Sequence, residues 1–125
     1  MIKETQLNKV NLSEKFSLIN NYWDPKIVGE LNNQYVKIAK LKGEFVWHQH
    51  EKEDELFMVI KGHLTIKLRD SNIELNEGEF YIIPKGVEHM PVAEDEVHVL
   101  MFEPQTTVNT GNADSDKTIS NLEKI

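Results

Sequence analysis

The chain contains no cysteine. That excludes a disulfide scaffold, a zinc finger, an iron–sulfur cluster and a thiol nucleophile together. It has a single arginine, Arg69, and 21 acidic residues against 14 basic ones leave a net charge of −7. A duplex binder must neutralise phosphates with clustered Lys and Arg, so no nucleic-acid partner is expected. Long apolar runs are missing too: Leu56 to Ile60 is the longest, far short of a membrane span or a signal-peptide core. The expectation is a soluble, cytoplasmic protein with no membrane partner. The 125 residues carry no internal repeat and no low-complexity run. A chain of this length buries about two-thirds of its surface, enough for one core without staples.

Three textures divide what is present. Residues 1–33 are mixed. Ser13 is placed to cap a short helical turn through Phe16 and Ile19, and Asn20, Asn21, Pro25 and Gly29 break any longer element. A short strand-and-turn segment packed on a larger body is expected there. Residues 34–103 read as successive strands: Val36 and Ile38 alternate with Lys37, Leu64, Ile66 and Leu68 with Thr65, Lys67 and Arg69, and Ile73 and Leu75 flank Glu74. Turn signals stand at Lys42-Gly43, Lys61-Gly62, Asp70-Ser71-Asn72, Asn76-Glu77-Gly78 and Pro84-Lys85-Gly86. With no long amphipathic helix, the pattern predicts an all-β sandwich or barrel. Residues 104–125 form a polar tail whose Ile119, Leu122 and Ile125 suit one terminal helical turn.

The chemistry concentrates in Trp47-His48-Gln49-His50. On a strand, two imidazoles two positions apart leave the same face and can share a metal ion. Glu55 follows at the entry of the Leu56–Ile60 run, which a hairpin across the acidic turn would pair with the histidine segment. Parity groups Glu55 with Phe57 and Val59 and leaves Asp54 on the other face with Leu56 and Met58. Pro84-Lys85-Gly86 then makes a tight turn that delivers His89.

Taken together, these spacings resemble the cupin family. Gly43, four residues to His48-x-His50, four more to Glu55 and six to Gly62 are similar to its first motif. Gly78, five residues to Pro84-x-Gly86 and two to His89 are similar to its second. Two departures stand out: one residue fewer between Gly43 and His48, and Ala93 where the family often has asparagine. The resemblance implies a double-stranded β-helix, or jelly-roll, barrel over residues 34–103. It also implies that His48, His50, Glu55 and His89 hold a divalent metal, one per chain. Three neutral imidazoles and a carboxylate suit Mn, Fe, Co, Ni or Zn and leave positions open on a six-coordinate ion.

Beyond these four, Tyr35, Tyr81 and His98 are the side chains that could move a proton, with Glu88 behind them. Phe57, Val59 and Val46 are pocket or core candidates. His63 reads as surface, and Trp47 and Gln49 point away from the histidine face, Trp47 being available for a subunit contact. Arg69 lies on the outward face of its strand, so no guanidinium fork is expected in the barrel and a sugar phosphate is disfavoured unless Lys40 or Lys85 serves. The expected function is a metal-dependent isomerase, lyase or dioxygenase acting on a small carbonyl, enol or sugar-like molecule. A non-catalytic small-molecule-binding barrel is the alternative. Small cupins commonly pair, and the short alternation of Leu7, Val10 and Leu12 suits an edge strand added to a second copy, so a homodimer is expected.

Overall fold

The computed structural model describes residues 8–125. A short helix α1 (Leu12–Phe16) precedes seven strands: β1 (Lys26–Leu31), β2 (Gln34–Glu44), β3 (Glu55–Lys61), β4 (Leu64–Leu68), β5 (Asn72–Leu75), β6 (Phe80–Ile83) and β7 (His89–Pro104). All named pairings are antiparallel. The main sheet runs β1-β2-β7-β3-β6, and β4 with β5 joins it through β7.

β7 organises the barrel. One of its edges follows β2; along the other, His89 to Val92 pair with β4 and His98 to Phe102 with β3. β1 and β2 are joined by Asn32-Asn33, both at positive φ (48° and 64°), as a two-residue hairpin turn whose twist matches its strands requires. Lys42-Gly43 is not a turn: β2 continues through it, with a bulge between Leu41 and Gly43 that is absorbed at Gly43, φ 84°.

The inner face carries Ala39 and Leu41 of β2, Phe57 and Val59 of β3, Leu64 and Ile66 of β4, Leu75, Ile83, and Val97, Val99 and Met101 of β7, all buried in one cluster. A second cluster lies outside, where Phe16 and Ile19 cover Ile38, with Leu12, Val28, Ile60, Leu100 and Ile125 around it. β2 is therefore apolar on both faces, and the alternation of Val36 and Ile38 marks its outer face. Lys37 points into the barrel. The helix is capped by Asn11 rather than Ser13, because the Asn11 side chain accepts from the Glu14 N–H at 3.0 Å while Ser13 lies inside the helix.

The tail forms no helical turn. It crosses the barrel mouth and ends against β1, with Ile27 N–H donating to Glu123 O (2.9 Å) and Ile125 N–H to Ile27 O (3.0 Å). The β1 edge is thereby covered. Among the described residues no helix is long and apolar enough to cross a membrane. Leu7, one of the residues expected to form an added edge strand, lies outside the described residues.

Candidate metal centre

The histidine segment is not a strand paired with β3. Both edges of β3 are taken, by β6 and β7, so residues 45–50 dock instead on the start of β7. Phe45 N–H donates to Pro91 O, and His48 and His89 exchange backbone hydrogen bonds of 3.0 and 2.9 Å. Gly86 N–H closes the far end on His50 O at 2.8 Å. The backbone is extended enough to keep His48 and His50 on one side, so the expected juxtaposition holds though its scaffold differs.

His48, His50, Glu55 and His89 are all buried, each at most 4% exposed, and each offers a donor atom within 4.8 Å of all the others. Glu55 Oε2 lies 3.4 Å from His50 Nε2 and its Oε1 lies 3.3 Å from His89 Nε2. Ligands bound at about 2.1 Å around one octahedral ion stand roughly 3.0 Å apart when adjacent and roughly 4.2 Å when opposite, so the 3.3 and 3.4 Å separations come within about 0.4 Å of adjacent positions.

Orientation fits as well. His48 Nδ1 lies 2.9 Å from Val46 O, and His89 Nδ1 lies 2.9 Å from Val87 O. A carbonyl only accepts, so Nδ1 carries the proton on both rings and Nε2 keeps its lone pair toward the centre. Among the described residues, His50 Nε2, His89 Nε2 and Glu55 Oε1 are buried with no hydrogen-bond partner. Orphaned polar atoms of this kind are costly unless a further group answers them, and a divalent cation answers all three.

Electrostatics agree. Burial, with the neighbouring His89, lowers the His48 pKa to about 4, so the ring is neutral at pH 7 and able to ligate. Burial pushes the Glu55 carboxyl up, but the contacts from His50, His89 and Glu103 outweigh it and hold it well below the usual carboxylate range. The His48 shift makes a testable statement about the metal-free protein. Between pH 6.5 and 4 the unfolded chain binds a proton that the folded chain refuses, so His48 costs stability as pH falls through that window. A depression of this size corresponds to on the order of 3 kcal/mol by pH 4. Chemical denaturation of metal-free protein at pH 7 and pH 5 checks it; His48→Gln should flatten the slope, and an unchanged slope would remove His48 as its source.

The cavity beside the donors has a volume of about 30 Å³, room for a few water-sized groups, and is lined by Trp23, Pro25, Leu41, Phe45, His48, Glu55, Phe57, Pro91, Met101, Glu103 and Asn109. Trp23 stacks on Phe45 at 4.8 Å, and Phe45 meets His48 edge-on at 5.5 Å. No lysine or arginine is among the lining residues.

Two inward residues escaped the sequence reading. Glu103 and Lys37 are 3% and 1% exposed and form an ion pair at 2.8 Å beside the donor set. Burial and the Glu55 charge push the Glu103 carboxyl well above the usual range, against the pull of Lys37. Parity with Val97, Val99 and Met101 is the signal that would have placed Glu103 inside.

The other candidates lie elsewhere. Tyr35 lines a separate cavity of about 310 Å³ between β2 and the tail. Tyr81 packs on the barrel core opposite Phe57. His98 stacks on Phe16 at 4.6 Å on the outer surface, its Nε2 2.7 Å from Glu96. Val59 is core, and Glu88 pairs with Arg69, which lies over the Trp47 ring at 3.9 Å. His63 sits on the surface between Glu74 and Asn76. Asp54 caps Lys85 N–H and Glu53 accepts from Thr106. Lys40 Nζ donates to Ile19 O beneath the helix, away from the cavity.

The cupin-domain family pattern matches residues 34–103, more than half of the chain. The chain belongs to the cupin family. It is 46% identical to a cupin-2 domain containing protein from Shewanella frigidimarina NCIMB 400, with a TM-score of 0.78 over 81% of this chain and 99% of that one. It is 26% identical to protein NMB1881 from Neisseria meningitidis, with a TM-score of 0.72 over 78% of this chain and all of that one (100%). Over 63 residues it is 38% identical to the uncharacterized protein YdbB of Bacillus subtilis strain 168. That match spans 50% of this chain and 56% of the relative's length.

Proposed function

We propose that this cupin is a metal-dependent enzyme whose ion is held by His48, His50, Glu55 and His89, and that its substrate is a small carbonyl or enol compound. The observation that carries this reading is the set of buried, unanswered donor atoms converging at one point beside a cavity. Such an ion of the Mn, Fe, Co, Ni or Zn group supplies Lewis-acid polarisation of a carbonyl or enol oxygen, or, as iron, redox chemistry with dioxygen. The protein supplies the rest. His48 and His89, fixed through Nδ1, orient the donors; Trp23, Phe45, Phe57 and Met101 exclude water; Glu103 is the carboxyl at the cavity wall placed to accept or return a proton. With no cationic side chain in the lining, a phosphorylated substrate is not favoured. Elemental analysis of protein purified without a metal-affinity tag tests the centre: about one ion per chain is expected, and its identity selects the assay, oxygen uptake for iron and isomerase or lyase screens for the others. Protein that arrives empty and takes up none of the five metals would leave the alternative, a non-catalytic small-molecule-binding barrel.

The homodimer is proposed on a different surface from the one the sequence suggested. Val36, Phe102, Leu56 and Ile82 stand in register across β2, β7, β3 and β6, and Ile38, Leu100, Met58 and Phe80 form the next row. α1 covers only the Ile38 end, and Phe80 and Ile82 remain 57% and 49% exposed. No charge interrupts either row, so an identical apolar face is a better complement than a charged partner. Light scattering should give twice the chain mass, reverting to one with Phe80→Glu; a concentration-independent monomer would dispose of the dimer.

A further inference from the structure

Glu103 and Lys37 belong to no motif, yet they sit against the proposed metal centre. Leu56 pairs with Phe102, so the adjacent Glu55 and Glu103 face each other across β3 and β7 on the inner face of the barrel. The two carboxyls line the same cavity, near enough for each to shift the other's titration. Glu103 Oε1 is held by Lys37 Nζ at 2.8 Å, while its Oε2 is buried without a partner, as is Glu55 Oε1. Two carboxyls placed side by side in an apolar interior repel, which disfavours ionisation of both at once. Here the second one stands beside a buried lysine that fixes it.

We infer that Glu103, clamped by Lys37, is a positioning residue that fixes the Glu55 carboxylate for metal binding. This inference rests on the metal reading above. A ligating carboxylate has two oxygens and a free rotor; a neighbour that engages one oxygen leaves the other in a single orientation toward the ion. Lys37 matters because, among the described residues, it is the group that holds Glu103, and it does so from a third strand, so β2, β7 and β3 are tied together at the centre. Residues in this outer layer typically change metal affinity by 10- to 100-fold when removed.

The test is calorimetric titration of metal-stripped protein with Co²⁺ alone, together with the Co²⁺ absorption spectrum and the thermal midpoint. In Lys37→Met/Glu103→Leu the whole buried pair is replaced by apolar groups of similar volume, a change that commonly preserves or raises stability. Co²⁺ affinity is expected to fall by about 10- to 100-fold with an altered spectrum, while the midpoint stays at or above the wild-type value. Glu103→Gln keeps the shape and offers Glu55 an N–H donor, and should restore affinity to within about threefold of wild type. Should the double variant fail to fold, Lys37→Met alone decides, since loss of the clamp must still weaken Co²⁺ binding. Wild-type affinity and spectrum in the folded double variant, or in folded Lys37→Met, would overturn the inference and leave the metal centre standing. A wild-type protein that binds neither Co²⁺ nor Mn²⁺, Ni²⁺ or Zn²⁺ would overturn both.

Discussion

His89→Ala is expected to empty the site: the metal content of purified protein falls from about one ion per chain to less than a tenth of that. His89 is completely buried, its Nδ1 is tied to Val87 O, and its Nε2 faces Glu55 Oε1 with no other partner. Dividing the roughly 10–16 kcal/mol of a four-ligand zinc site equally gives about 2.5–4 kcal/mol per ligand, roughly 70- to 900-fold in affinity. The backbone bonds between His48 and His89 do not need the imidazole, so the metal-free variant should keep its strand content by circular dichroism. Elemental analysis beside wild type checks the prediction, and equal metal in the two proteins would remove His89 from the centre.

The second large effect is expected at Gly111, where the tail passes over the same segment. Its φ of 54° lies in the left-handed region, and a Cβ built there would fall 2.2 Å from Gln49 O and 3.1 Å from His48 Cδ2. Only glycine lets the tail lie this close, and on either side of it Asn112 Oδ1 accepts from Gln49 N–H at 2.8 Å while Thr110 is buried. Alanine must adopt an unfavourable backbone conformation, at about 1–2 kcal/mol, and must also displace a backbone carbonyl. The sum is about 3 kcal/mol of destabilisation, and the tail should lift off the mouth. Limited proteolysis should then cut within residues 105–125 of Gly111→Ala under conditions that leave wild type intact. Equal protease resistance and an equal denaturation midpoint would show that the tail does not depend on this contact.

How far the sequence reached can be judged at particular residues. The barrel and the gathering of His48, His50, Glu55 and His89 were legible because the motif spacings are local and the turns carry their own glycines and prolines. Period-2 parity also separated Glu55 from Asp54 correctly, since a strand offers only two faces. At β2 the alternation of Val36 and Ile38 with Lys37 left the two faces unassigned: α1 and Ile125 pack on the Ile38 side, so the inward row carries Lys37. A buried lysine is readable only through its partner, and Glu103 lies 66 positions away. The course of the tail was illegible for a similar reason: its hydrogen bonds join Gln49 to Asn112 and Glu53 to Thr106, pairs of polar residues with no periodicity to announce them.

The length and position of β7 have a consequence for how the protein is made. It is the last strand in the chain, yet β2, β3 and β4 all pair with it. A nascent chain leaves the ribosome from its N-terminus, so β1 to β6 emerge with the β1–β2, β4–β5 and β3–β6 pairings available to them but with the central edges of β2 and β3 open. His48, His50 and Glu55 are then already synthesised, but the fourth donor and the strand that spaces them are not. Cooperative closure must wait until residues near 104 have cleared the exit tunnel, so a chain arrested at residue 88 should remain protease-sensitive and expose sticky strand edges. Metal loading is in this sense a post-synthetic event, set by the arrival of the final strand.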